Sequence, residues 1–456
     1  MKVNFKTTLI PLKVRIVEAK DVRFRDYDGT VLHSMSVSEA RALTALPELP
    51  THPGLVCQGW NWSLDDLHSL TQEADIGANF ITEDGKTRLH IVVPAGDSHA
   101  QRIEVSFKNK LHVDWGDGSE PYVEENDFDP GELSPAWGAT HTYPVCDEDK
   151  AYVITVWDED GGALRFGKSD FAWTDTNIFG EYNYSERSYY GRLRAVEFGK
   201  VTGSYRDWLF FGMPSLEAVT LPKEVTQFGT NVFNDCYALR HVTIPSGTAS
   251  LVGSVFAYSG LKNISLPKSL KRLESCVFRF CESLERVCPN AGTTLAGSTS
   301  FDGAGITFLR VPEGVTALQS QFVYSCKKLE RIVIPRGVKT IGESAFSTCQ
   351  SLLEVEIPEG VAAIPNGCFY MCSSLCRIDF PSTVTSIGRH ALYTGSAMNK
   401  LILDFRAARQ VPTLDDSMSG YIYCSKVIVP DELYDEWKAA SSWSAYASKI
   451  VKASAA

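Results

Sequence analysis

The chain has 456 residues, 44% hydrophobic and 22% charged, and a formal net charge of -11. That length allows three or so domains with sizeable cores. The acidic balance, with no basic run or aromatic-basic stripe, excludes a nucleic-acid binder, and no apolar run reaches the roughly 18 residues of a membrane-spanning helix.

Residues 1–20 alternate apolar and polar (Leu12, Val14, Ile16) and predict a strand. Met1 to Thr7 lack the h-region and cleavage site of a signal peptide. Either a leader has been trimmed, or the chain is made in the cytoplasm and reaches a particle or a cell surface. Asp28-Gly29 between two alternating runs is a hairpin signal. Ser36 with Glu39 is a capping box for a helix through Leu46, ended by Pro47, Pro50 and Pro53. Ser63 with Asp66 caps a second helix to about Ala74. The order hairpin, helix, proline run and Gly59-Trp60 resembles the internalin B-repeat. That implies a small β-grasp-like module over residues 1–85.

Residues 86–166 read as a sandwich, with strands at 89–93, 103–107, 111–115 and 152–156. The motifs Val113-Asp114-Trp115-Gly116-Asp117-Gly118-Ser119 and His141-Thr142-Tyr143 resemble the polycystic-kidney-disease (PKD) domain, which implies an immunoglobulin-like spacer. Lys150-Ala151 stands where that family usually has a glycine, and the insert from Pro121 to Trp137 is longer than usual. Between residues 111 and 162 lie fourteen acids against one lysine. Asp114, Asp117 and Asp158 are weak calcium candidates. The alternative is that Asp114 and Asp117 hydrogen-bond the turn and the other acids are solvated. No other metal or cofactor is expected.

Residues 167–192 are rich in aromatics (Phe171, Trp173, Phe179, Tyr182, Tyr184, Tyr189, Tyr190). They read as a cap on the first coil, Leu193 to Phe198, or as a glycan-stacking patch. From there the chain repeats. Prolines fall at 222, 245, 267, 289, 312, 335, 358 and 381, in steps of 22 or 23 residues, the mark of a solenoid. The eleventh residue after each proline is large and apolar (Phe233, Phe256, Phe278, Val323, Phe346, Phe369, Leu392), with Phe301 and Phe322 displaced by one place. Fourteen residues after the proline the slot is small: Cys236, Ser259, Cys281, Gly303, Cys326, Cys349, Cys372 or Gly395. A buried column of weak donors suits this slot better than disulfides do. Cys368, Cys372 and Cys376 fit no standard zinc spacing. The unit Ile334 to Pro358 resembles the BspA-like leucine-rich repeat, over roughly residues 193–405. The resemblance implies a binding solenoid, often in surface adhesins, and brings no catalytic residues. Val427 to Pro430 and a helix from Asp431 to Ala440, with Leu433, Trp437, Trp443, Tyr446 and Ile450 inward, predict a C-terminal cap.

The expected fold is therefore mainly β and multidomain: a β-grasp-like module at 1–85, a PKD-like sandwich at 86–166, a capped leucine-rich-repeat solenoid of about nine coils at 167–426, and a capping strand and helix at 427–456, strung as a rod. No nucleophile elbow, zinc-protease or nucleotide-binding motif is present, so no enzyme is expected; a glycan hydrolase using the acidic cluster is a distant alternative. Side chains alternate along a strand, so each coil should offer two outward residues. The candidate ligand contacts are His241, Thr243, Asn263, Arg286, Phe308, Arg310, Arg331, Val333, Glu354, Glu356 and Arg377. Recognition of a cell-surface protein or glycan is the leading expectation, on a phage tail or prophage fibre or as a bacterial adhesin. A spacer contacting sister subunits as a homo-oligomer is the alternative.

Overall fold

The structure is a computed structural model that describes residues 21–97, 100–127, 134, 137–167, 178–179, 192–295, 297–395, 400–415 and 422–456. The strand expected in residues 1–20 and most of the aromatic stretch lie outside these residues; Phe179, within them, is buried.

The first unit is a four-stranded sheet ordered β2-β1-β4-β3, made of β1 (Val22–Arg25), β2 (Val31–Met35), β3 (Leu55–Trp60) and β4 (Ala74–Thr82). The Asp28-Gly29 hairpin joins β1 to β2 antiparallel, with Gly29 at φ 90° and its turn closed by the Thr30 amide donating to Asp28. Helices α1 (Val37–Arg41) and α2 (Leu64–His68) each carry both bonds of their capping boxes. Both are shorter than the sequence suggested. The second stops early because β4 begins at Ala74, and no strand was expected there. Ala74, Ile76, Ala78 and Phe80 of β4 face the unit's own core with Val22, Phe24, Trp60 and Leu67.

The second unit has two sheets around one core that includes Leu89, Ile91, Ile103, Val105, Val113, Trp115 and Ile154. One contains β5 (Thr87–Val93), β7 (Lys110–Asp114), β8 (Tyr122–Glu125) and β10 (Lys150–Asp158); the other contains β6 (Ala100–Ser106), β9 (Trp137–Thr142) and β11 (Arg165–Phe166). The first of these sheets does not stop at the unit's edge. Strand β12 (Leu193–Glu197) pairs antiparallel with β5 and parallel with β13 (Ala218–Thr220), which is the start of the solenoid. The exposed first edge of the coil stack is thereby paired.

The solenoid then runs in parallel for about 11 turns, two more than expected, because the cap strands 424–429 and 450–452 continue the same ladder. Phe308, Arg331, Glu354, Arg377 and Ile402 are register partners on successive coils. A second ladder of two-residue strands runs along another face. Inside, Phe210, Phe233, Phe256, Phe278 and Phe301 stack with ring centroids 5.2, 5.4, 6.0 and 5.7 Å apart. The one-place shifts at Phe301 and Phe322 turn that contact edge-on, at 82°, and the stack resumes at Phe346 and Phe369. Cys236, Cys281, Cys326, Cys349 and Cys372 are fully buried, and each thiol donates to a carbonyl of the preceding coil, at 2.9–3.1 Å.

Each coil bends through left-handed residues at two corners. Asn231, Ser254, Cys276, Thr299, Gln321, Ser344, Gly367 and His390 form one such row, at φ between 55° and 61°. At the far end Trp437 and Trp443 are buried against Phe405, and Tyr446 against Trp443. Asp431 does not cap the helix α3 (Tyr434–Ala439); it accepts bonds from Ser454 instead.

The expected rod is corrected by one contact surface. The first unit folds back and lies on the strand face of the solenoid.

Candidate functional site

The outward residues of the solenoid strands divide into a covered half and an open half. The face of β4 that points away from its own core, Asp75, Gly77 and Asn79, crosses the early coils. Gly77 has no room for a side chain: a Cβ there would lie 2.1 Å from Thr243 Oγ1. Asn79 donates to the Leu221 carbonyl at 2.9 Å, Asn61 to the Ile244 carbonyl at 2.9 Å and the Trp62 indole to the Leu266 carbonyl at 2.8 Å. Gln58 holds the Lys223 amide and the Glu224 carboxylate.

Of the expected contact residues, His241 and Thr243 are 2% and 4% exposed. They point out of the solenoid but into the first unit, so they are not free to meet a ligand. His241 hydrogen-bonds Asn263 and Thr243; burial, then the nearby Arg25 charge, pushes its pKa down to about 4. Arg286 donates to Asp75 at 3.0 Å and to the Asp21 carbonyl at 2.6 Å. Asp75 also accepts from Arg25 at 2.8 Å. Arg310 pairs with Glu73 at 3.1 Å, its guanidinium 5.8 Å over the half-buried Phe308 ring. His241, Thr243, Arg286 and Arg310, with Asn263 between them, belong to an internal interface.

The open half begins at Arg331. Arg331, Arg336, Glu354 and Glu356 are exposed, and Val333 and Arg377 half-buried. Arg331 and Glu354 are register partners, yet among the described residues no ion pair joins them. Arg377 bonds Asp379 at 2.7 Å and also reaches Asp404, which Arg406 holds at 2.7 Å. A groove of about 780 Å³ lies here, lined by Ile334, Arg336, Glu356, Ile357, Pro358, Phe380, Pro381 and Arg406 among others. It was missed in the sequence because its floor is the proline row, which reads there as punctuation.

The calcium candidates are engaged by donors. Asp114 accepts from the Gly116 amide. Asp117 accepts from the Ser119 amide and hydroxyl at 3.0 and 2.6 Å and meets His141 at 2.8 Å. Burial raises the Asp117 pKa, but the Ser119 donors and His141 outweigh it and bring it down to about 2. Asp158 accepts from the amides of Lys108, Asn109 and Lys110. The two sandwich motifs thus meet: Trp115 and His141 stack at 5.1 Å, and the Tyr143 hydroxyl donates to the Trp115 carbonyl at 2.7 Å.

A family model described as "BspA type Leucine rich repeat region" matches in six copies, over residues 205–330 and 294–409. Among solved structures, the chain is similar to a leucine-rich repeat protein from Bacteroides ovatus, at 23% identity over 55% of this chain and 75% of that one, with a TM-score of 0.40. It is also similar to the leucine-rich repeat protein of T. pallidum (21% identity, 44% and 82% covered, TM-score 0.30). A third is a leucine rich cell surface protein from Faecalibacterium prausnitzii (19%, 54% and 93%, TM-score 0.26). No curated protein matches.

Proposed function

We propose, with residues 205–409 matching the BspA-type leucine-rich repeat, that the chain is a non-enzymatic recognition protein that binds a partner protein at a cell surface through the open half of its strand face. One observation carries this reading: the exposed side chains of Arg331, Arg336, Glu354 and Glu356 have no partner among the described residues, while the arginines of the covered half are all engaged. Arg331, in register with the aromatic Phe308, and Arg336 supply the arginine that interface hot spots favour. The PKD-like and β-grasp-like readings of the first two units rest on their motifs and, for the first, on the sheet order β2-β1-β4-β3. In this proposal they hold the solenoid and cover its first coils.

The test is binding of the full chain to intact cells, before and after protease or glycosidase treatment. Protease should abolish binding and glycosidase should spare it. Arg331→Ala with Glu354→Ala and Glu356→Ala should abolish it too, with circular dichroism unchanged. Undiminished binding by the triple variant would place recognition elsewhere.

A further inference from the structure

The proline row has a consequence for the backbone. In this solenoid an N–H of one coil bonds the carbonyl one slot earlier on the next coil: Ile244 N–H to Ser265 at 2.9 Å, Ile357 N–H to Asp379 at 2.9 Å, Phe380 N–H to Asp404 at 2.9 Å. N–H groups alternate in direction along a strand, so the carbonyl of each such residue should receive the N–H two places beyond that acceptor on the same next coil. Leu221 should receive that of residue 245, Ile244 that of 267, Ile334 that of 358 and Ile357 that of 381, all prolines, while the Phe380 carbonyl faces the Arg406 N–H, which bonds the Asp404 carboxylate instead. Proline has no N–H to give. A row of carbonyls, those of Leu221, Ile244, Ile334 and Ile357 among them, is therefore left without ladder partners.

On the covered coils the first unit supplies the missing donors. The Ile244 and Leu266 carbonyls, and that of Leu221 in the same slot, receive the side-chain N–H groups of Asn61, Trp62 and Asn79. On the open coils the carbonyls of Ile334, Ile357 and Phe380 receive no hydrogen bond among the described residues, and all three residues line the groove.

We infer that this open carbonyl row is a docking ladder for an extended segment of a partner protein, which engages it with side-chain amide or indole N–H donors as Asn61, Trp62 and Asn79 do on the covered coils. This deepens the recognition surface proposed above and rests on it. The occupant's chemistry is argued from continuity with the internal interface and from charge. Strand β4 lies along the stack, with Asn79 at Leu221 and Glu73 at Arg310. Three steps of two residues along a strand and four coil steps both come to about 20 Å, so alternate residues of one strand pass down the stack at three steps for every four coils. There, carboxylates from β4 and its approach meet Arg286 and Arg310. The next coil offers Arg331 unpaired, followed by Glu354 and Glu356. The fitting segment carries Asn, Gln or Trp facing the prolines, an acid opposite Arg331 and a base opposite the two glutamates. A nucleic acid offers no such mixture of charges.

The experiment selects 12-residue peptides from a displayed library on the immobilised full chain. The selected peptides are then measured on Pro358→Ala/Pro381→Ala, which restores the two N–H groups and closes the Ile334 and Ile357 carbonyls inside the ladder while leaving the charged side chains of the groove in place. We expect peptides enriched in Asn, Gln and Trp, bound roughly tenfold more weakly by the proline variant, as loss of two hydrogen bonds implies. Peptides without such donors, or peptides bound equally by both proteins, overturn the inference. A charge-reversed Arg331→Glu/Glu356→Arg variant separates the two levels. If it loses the peptides while the proline variant keeps them, the recognition surface stands and the carbonyl ladder falls. If both variants keep them, or no peptide is selected, both readings fall.

Discussion

Asp75 of β4 and Arg286 of the solenoid meet at 3.0 Å across 211 residues of chain. The same carboxylate, 2% exposed as a residue, also holds Arg25 at 2.8 Å. Removing one member of a buried ionic cluster leaves its partners uncompensated, at a cost of about 3 kcal/mol. Asp75→Ala should therefore loosen the docked face. Amide exchange at residues 241–265 should accelerate while residues 331–404 keep their protection. Unchanged exchange at 241–265 would show that the docking does not depend on this cluster.

Acid should loosen the same face. His241 titrates at about 4 in place against an ordinary 6.5. A depressed folded pKa means the unfolded or undocked state binds more protons between those values. The stabilisation is complete above pH 6.5 and declines as pH falls towards 4. Melting temperature measured from pH 7.5 to 4 should fall more steeply for the native chain than for His241→Gln. Parallel curves would remove His241 from the account.

The slot thiols are packing groups. Burial raises the pKa of Cys349 well above its usual value and that of Cys372 to about 12, so thiolate is scarce. Iodoacetamide at pH 8 should modify the exposed Cys376 and spare Cys236, Cys281, Cys326, Cys349 and Cys372, as read by mass spectrometry. Cys349→Ser should cost about 1–2 kcal/mol by burying a more polar group at the Val323 carbonyl.

Chelator should leave the melting temperature unchanged, because Asp114, Asp117 and Asp158 already satisfy backbone and side-chain donors. Asp117→Ala should cost about 1–3 kcal/mol by stripping the Ser119 and His141 bonds. A chelator-induced fall of several degrees would instead mean a bound cation.

The repeat was legible because its packing is periodic: Phe256 must stack on Phe233, and Cys349 must donate to the coil before it. Both capping boxes were legible because they act over three residues. The corners were not. Asn231, Cys276, Gln321 and His390 share a left-handed backbone and no chemistry, so the shape is imposed by the packed coils on residues that do not favour it. Strand β4 was missed for a related reason. Gly77 argues against a strand read alone, and only the nearness of Thr243 explains it. The outward residues line up coil by coil, Phe308, Arg331, Glu354 and Arg377 in register, but the first half of the column is occupied. The contacts that occupy it run from side chains to backbone carbonyls, which every sequence possesses.

The continuity of the β5–β12–β13 ladder gives the molecule an order of yielding under tension. A pull along the chain loads the docked face through separate side-chain bonds, which break one at a time. The β5–β12 joint is held by a backbone ladder whose bonds share the load. The first unit should peel away well before the coils part, adding length without unravelling the solenoid. A tethered molecule could take up a sudden strain in this way and recover its folded-back form when the strain is released.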